Sequence, residues 1–158
     1  MAKQWQIRRG TTAENNDFTG ALGEVTMNTT TNDLRVHDGA TQGGFPIRTL
    51  VFAQYPTAEN NYTWAFKYSD GWVEQGGITG AVNGTGTTAS VILPVTMSNA
   101  YYSVYVTITR PGNPDYRDQF LVAGNRSTTG FTVYSNWAGS ANGSKDNLGQ
   151  WMVKGMAA

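Results

Sequence analysis

YYSVYVTIT, residues 101–109, alternates strictly: Tyr102, Val104, Val106 and Ile108 fall on one side, Ser103, Tyr105 and Thr107 on the other. Successive side chains of an extended chain point to opposite faces, so the stretch reads as a half-buried β-strand with one apolar face. Phe120 and Val122 continue the pattern, as do Phe131 and Val133. Working outward, strands are expected at Trp72–Ile78, Thr87–Leu93, Tyr101–Thr109, Gln119–Ala123, Gly130–Ser135 and Leu148–Gly155. Gly, Asn, Asp and Pro punctuate them at regular spacing and helical periodicity is hard to find, which predicts an all-β chain with a six-stranded antiparallel β-sandwich over residues 72–158. If those strands run up and down in order, the loops Thr79–Gly86, Arg110–Tyr116 and Asn136–Asn147 share one edge of the sandwich, and Pro94–Ala100 and Gly124–Thr129 the other.

Ahead of the sandwich, NYTWAFKYSDGWVEQGG (residues 61–77) sets Tyr62, Trp64, Phe66 and Tyr68 at every second position, all on one side of an extended chain. Ser69-Asp70-Gly71 reads as a turn and Trp72–Gln75 as the returning arm of a hairpin. A sugar-stacking platform needs one or two exposed rings flanked by polar groups. Four aligned rings make an apolar patch too large to leave open on a soluble surface. Burying each ring stabilises by roughly 1.5–3 kcal/mol, so the row is expected to form a wall of the core or of a subunit interface. Residues 48–71 then form a joint and aromatic hairpin arm, with a bend at Pro56 and room for a short helix at Thr57–Asn61.

Composition narrows the function classes. Eleven basic residues balance eleven acidic ones and no basic run occurs, which ranks nucleic-acid binding low. Charged residues are 14% of the chain, against roughly 25% in ordinary globular proteins. Thr, Asn, Ser, Gly and Gln supply the polarity instead, giving a surface of neutral hydrogen-bonding groups. The absence of cysteine excludes disulfides and thiolate chemistry and suits assembly in a reducing cytosol. The start MAKQWQIRRG lacks the apolar run of a signal peptide, and no segment approaches membrane-spanning length, so no membrane insertion is expected. The five Asn-X-Ser/Thr sequons, at Asn28, Asn61, Asn83, Asn125 and Asn142, read as a by-product of composition.

Residues 1–47 are too apolar-poor for an independent core. GEVTMNTTTNDLRVHDGATQGGFPI holds two short strands, Glu24–Asn28 and Leu34–His37, with Val25, Met27, Leu34 and Val36 expected to face inward. Self-association is the simplest source of the missing cover. The stretch QIRRGTTAENNDFTGALGEVTMNTTTNDLRVHDGATQGGFPI resembles a module near the start of phage tail-fibre and receptor-binding proteins, among them the major tropism determinant family. The family pattern is an R-R/G-G-T-T-A opening, then G-E-V or G-E-I, then an H/G-D-G-x-T turn and a short apolar end, and Gln6 to Ile47 carries every part of it. The resemblance implies an intertwined β-rich homotrimer that joins a fibre to the virion, at a tail or capsid protein, and hence a virion location. YSDGWVEQGG resembles a signature placed before the tip domain of phage fibres. The spacing of VILPVTM, YYSVYVTI, RSTTGFTVYS and GQWMVKG resembles H-type lectins and related fibre-tip domains, which are six-stranded, trimeric and often bind sugars.

Binding is expected in the loops RPGNPDYRD and NWAGSANGSKDN. Tyr116 and Trp137 offer stacking surfaces, with Asn136 beside Trp137, while Asp115, Arg117, Lys145 and Asp146 offer groups for hydroxyls, carboxylates or phosphates. The partner these imply is a bacterial surface glycan or other receptor. The alternative is a non-adhesive virion part such as a head fibre, decoration or collar component. Catalysis is not expected. The single histidine, His37, lies in the VHDG turn, and with Asp33 and Asp38 it makes only a commonplace cluster, so no metal or cofactor is expected. Asp115 with Asp118 is the one close carboxylate pair in these loops, without the long cleft that glycoside hydrolysis uses.

Overall fold

The computed structural model describes residues 6–82, 86–109, 119–137 and 148–158. The elements are β1 (Arg8–Gly10), α1 (Thr12–Asp17), β2 (Val25–Asn28), β3 (Asp33–Val36), β4 (Phe45–Ile47), β5 (Leu50–Gln54), β6 (Trp64–Tyr68), β7 (Trp72–Ala81), β8 (Thr88–Ile92), β9 (Ser103–Thr109), β10 (Gln119–Ser127), β11 (Gly130–Trp137) and β12 (Leu148–Met156). The chain divides into two units, one of residues up to Val51 with Tyr68–Asp70, the other of Phe52–Lys67 and Gly71–Ala158. The fold is all-β, as expected, and all six expected sandwich strands are present.

The first unit is built on a four-stranded sheet in the order β1-β2-β3-β4. Its helix α1 starts at a capping box: Thr11 Oγ1 accepts from the Glu14 N–H while the Thr11 N–H donates to Glu14 Oε2 at 2.7 Å. Asn15, buried on that helix, donates to the carbonyls of Gly10 and Thr11. Between β2 and β3 the cross-strand pairs are Val25 with Val36, Thr26 with Arg35, Met27 with Leu34 and Asn28 with Asp33. The buried members are Thr26, Asn28, Asp33 and Arg35. The expected inward face is therefore corrected: the apolar side chains lie on the face that the chain leaves open. Buried polarity is tolerable there because nearly every group has a partner, Arg35 Nε being the exception. Asn28 and Thr12 bond to each other, Thr31 donates to Asp33, and Arg35 Nη1 donates to Asn16 Oδ1 and to the Gly43 carbonyl.

The second unit is a sandwich of a three-stranded sheet, β10-β11-β8, on a five-stranded sheet whose order is β5-β6-β7-β12-β9. Two strands, β5 and β6, thus extend the larger sheet beyond the six read from sequence. The segment at Thr57–Asn61 forms turns and not a helix. Val73, Val133 and Val153 are fully buried, and Phe131 meets Trp151 edge-on at 5.8 Å between centroids. Tyr102, Val104 and Val106 join this core as the alternation predicted. On β10 the phase is reversed: Leu121 and Ala123 pack on the core while Phe120 and Val122 are exposed. Register decides this, because Leu121 pairs with Ser135 and Ala123 with Val133, both on the buried face of β11.

The ends of the strands come level. Leu148 pairs with both Ala81 and Thr109 in one sheet, while Gln119 pairs with Trp137 in the other. The Gly86 N–H donates to the Ser135 carbonyl and the Ser135 N–H to the Thr87 carbonyl, so the chain passes from Ala81 to the β11 end within a few residues. The connections that follow β7, β9 and β11 therefore all leave from one end. At the opposite end, the Leu93 N–H donates to Thr129 and the Met97 N–H to Thr128, joining the β8–β9 connection to the β10–β11 turn.

Candidate functional site

Of the residues singled out for binding, Asn136 and Trp137 are the last two of β11 and not loop residues. The strand runs on because Phe120 and Gln119 supply their partners. Asn136 is half-buried there. Asp115, Tyr116, Arg117, Lys145 and Asp146 lie outside the described residues, as does Asp118.

The aromatic row does not face the core. Within β6, Ala65 is fully buried against Gln75, and Trp64, Phe66 and Tyr68 occupy the other face, each half-buried. Trp64 and Phe66 lie 5.6 Å apart, and Tyr55 meets Phe66 edge-on at 5.8 Å. Tyr62 sits outside the strand with φ +54° and is 53% exposed. The core alternative for this row is thus excluded by the side on which β6 presents it. Gly76 makes the arrangement possible: a Cβ there would lie 2.7 Å from two indole carbons of Trp64. Gly71, at φ +84°, closes the β6–β7 hairpin as expected.

The short motifs of the first unit prove to be supports for the backbone. Glu24 of G-E-V accepts from Arg8 Nε at 3.0 Å and from the Ala21 N–H at 2.9 Å, which lowers its pKa, the Ala21 bond first. In H-D-G-A-T, Asp38 accepts from the N–H groups of Ala40 and Thr41 and from Thr41 Oγ1. Those bonds, Thr41's backbone first, hold the Asp38 carboxyl down at about 2. His37 is buried, accepts at Nδ1 from the Gly20 N–H, and has Nε2 3.0 Å from Thr26 Oγ1. With Nδ1 as acceptor, Nε2 carries the proton and donates to Thr26. Both ring nitrogens are thereby occupied by structural bonds. Among the described residues no group of three or more His, Cys, Asp or Glu could hold a metal ion.

The open face of the first sheet is the other notable surface. Val25, Val36 and Phe45 form one cross-strand row, and Met27, Leu34 and Ile47 the next. Phe45 is 54% exposed and Ile47 39%. Covering such half-exposed side chains stabilises by on the order of 1 kcal/mol each.

The likenesses to known proteins fall among phage and pyocin tail fibres. Residues 6–41 match the family model Mtd_N, the Major tropism determinant N-terminal domain. The chain is 34% identical over 111 residues to the tail fiber receptor-binding protein of Bordetella phage BPP-1, a stretch covering 70% of this chain and 26% of that protein. The chain thus spans about a quarter of that relative's length. Among solved structures, an N-truncated R1-type pyocin tail fiber aligns with TM-score 0.51 at 17% identity, over 72% of this chain and 88% of that one. The C-terminal part of the P. aeruginosa R2 pyocin fiber aligns with TM-score 0.52 at 14% identity, over 98% and 37%. At such identity these two likenesses concern the fold. None of the names is that of an enzyme.

Proposed function

We infer that the chain is a phage fibre or tail-tip protein that assembles as a homotrimer and holds a bacterial surface receptor, foremost a glycan, at the loop end of its sandwich. Residues 1–47 serve as the virion-attachment and trimerisation module, 48–71 as joint and hairpin arm, and 72–158 as the tip. The observation that carries the reading is the N-terminal sheet, whose two apolar rows stand open while its polar face is closed. A soluble chain that invests its backbone in such a face needs further copies to cover it. Three is the number that the resemblance implies.

The same reading gives the receptor contact to Asp115, Tyr116, Arg117, Asn136, Trp137 and Lys145. Its support is the common end from which the segments after β9 and β11 depart. A weak single site there is multiplied by three-fold display. The test is host-cell labelling by the purified protein: Tyr116→Ala combined with Trp137→Ala is expected to abolish it while sedimentation still reports the trimer. Protein that ignores host cells and adheres to fibreless virions would instead be a head fibre, decoration or collar component.

A further inference from the structure

The outer face of the five-stranded sheet holds a row whose members come from four strands. Register aligns Trp64 with Gly76, Gly76 with Met152, and Met152 with Tyr105. The indole of Trp64 lies over Gly76, where any side chain would displace it. Three strand intervals of about 4.8 Å separate the Trp64 strand from that of Tyr105 by about 14 Å. Tyr105 is 58% exposed. Polar pairs flank the row on both sides: Gln150 with Thr107 on one, Lys154 with Ser103 on the other. Lys154 is tied to Glu74 at 3.2 Å, so the flanking charges largely cancel. A groove of about 850 Å³ is shared between this face, with Trp64, Tyr105, Thr107, Gln150 and Met152, and the edge where β9 meets β10, with the more apolar Val104, Val106, Leu121, Val122 and Ala123 and with Arg126. That volume lies within the range of roughly 300–1,000 Å³ that small-molecule sites occupy.

A saccharide has the matching chemistry. Its rings offer apolar faces to aromatic side chains and hydroxyl edges to neutral amides and hydroxyls, and the separation of the two rings suits several sugar units better than one. A second copy of the chain is the poorer occupant, because it would strip water from Gln150, Thr107 and Ser103 unless it supplied a partner for each. We propose that this groove binds an uncharged oligosaccharide, with Trp64 and Tyr105 stacked on its rings and Gln150 and Thr107 bonded to its hydroxyls. The proposal rests on the receptor-binding reading and adds a sugar contact on a sheet face to the one at the loop end.

The test uses the intact chain and a panel of soluble neutral hexose and N-acetylhexosamine tetrasaccharides, with affinity measured by calorimetry. At least one is expected to bind, Tyr105→Ala to weaken it about tenfold, which is about 1.4 kcal/mol, and Gln150→Ala to weaken it less, with sedimentation unchanged. In a chain without cysteine, Tyr105→Cys provides a single thiol, and its rapid reaction with a maleimide in the assembled protein is expected. A thiol that stays protected until the assembly is dissociated means that a second copy fills the groove, and the proposal falls. It falls equally if Tyr105→Ala binds the saccharide as well as the parent does, or if no tetrasaccharide binds while host cells are still labelled; both leave the receptor reading standing. Saccharide binding in the groove without host-cell labelling would sink the receptor reading and leave this site.

Discussion

Among the described residues, the fully buried side chains of the sandwich are mostly apolar, with Val73, Val82, Met97, Val133 and Val153 beside the polar Gln75 and Ser135, whereas those of the N-terminal unit, Thr26, Asn28 and His37, are all polar. Both regions are β-sheet with one apolar and one polar face, but the sandwich closes its apolar face within the chain and the N-terminal sheet closes its polar one. The sandwich is held chiefly by burial of apolar surface, the N-terminal unit chiefly by hydrogen bonds between side chains and backbone. Such bonds contribute only about 0.5–1.5 kcal/mol net each. The first region buries its apolar face within the chain; the second leaves its apolar rows half-buried or exposed.

The largest effect is expected where that contrast is sharpest. Trp151→Ala removes the partner of Phe131 and leaves a cavity beside Val153, which is expected to cost about 3–5 kcal/mol. Denaturant titration with amide exchange should locate the loss in residues 72–158 and spare the N-terminal sheet. Leu34→Asp with Phe45→Asp is the converse experiment. Both residues sit on the open face, so the folded sandwich should persist while assembly weakens about a hundredfold, or about 3 kcal/mol. Sedimentation across a dilution series measures it, and an unchanged assembly would break the contrast at its root. Gly44→Ala asks how much hydrogen-bonded packing is worth without apolar area. Gly44 has φ +59°, and a Cβ there would lie 2.7 Å from His37 Nδ1. A cost of about 2 kcal/mol is expected, read as a lowered midpoint for the N-terminal unit alone.

Residues 101–109 show what was legible in the sequence. Strict alternation fixed both the strand and the face it buries, because only one face is apolar. The same method failed at Phe120-Leu121-Val122-Ala123, where both faces are apolar and only pairing with β11 chooses between them. In the N-terminal unit, the alternation at Val25–Asn28 and Asp33–Val36 located the strands but reversed the interior, because an apolar face was equated with the core of one chain. The helix α1 is too short to show a period, although the spacing of Thr11 and Glu14 carried its capping box. The aromatic spacing in β6 established that the rings share a side; that Ala65 holds the core side follows from its pairing with Gln75. The groove was illegible for a plainer reason. Trp64, Gly76, Met152 and Tyr105 become neighbours only through the register of four strands.

The smallest effect depends on charge and separates the two regions by pH. Asp38 has its folded pKa depressed from 3.8 to about 2 by N–H donors that favour the carboxylate. A carboxyl depressed in this way contributes stability that is fully present above its unfolded pKa and is lost as pH falls through the folded value. The N-terminal unit should therefore weaken between about pH 4 and pH 2, the window this shift defines, with Glu14 and Glu24 adding slope of the same sign. Asp38→Asn keeps an acceptor oxygen for Ala40 and Thr41 but loses the charge. It should be the less stable protein at pH 7, converge on the parent near pH 2, and show a shallower acid slope. Amide exchange at Thr41, followed against a sandwich amide such as that of Val153, measures both regions in one sample. A slope at Thr41 that Asp38→Asn leaves unchanged would move the acid sensitivity to the remaining carboxylates and leave the H-D-G-A-T turn as backbone geometry alone.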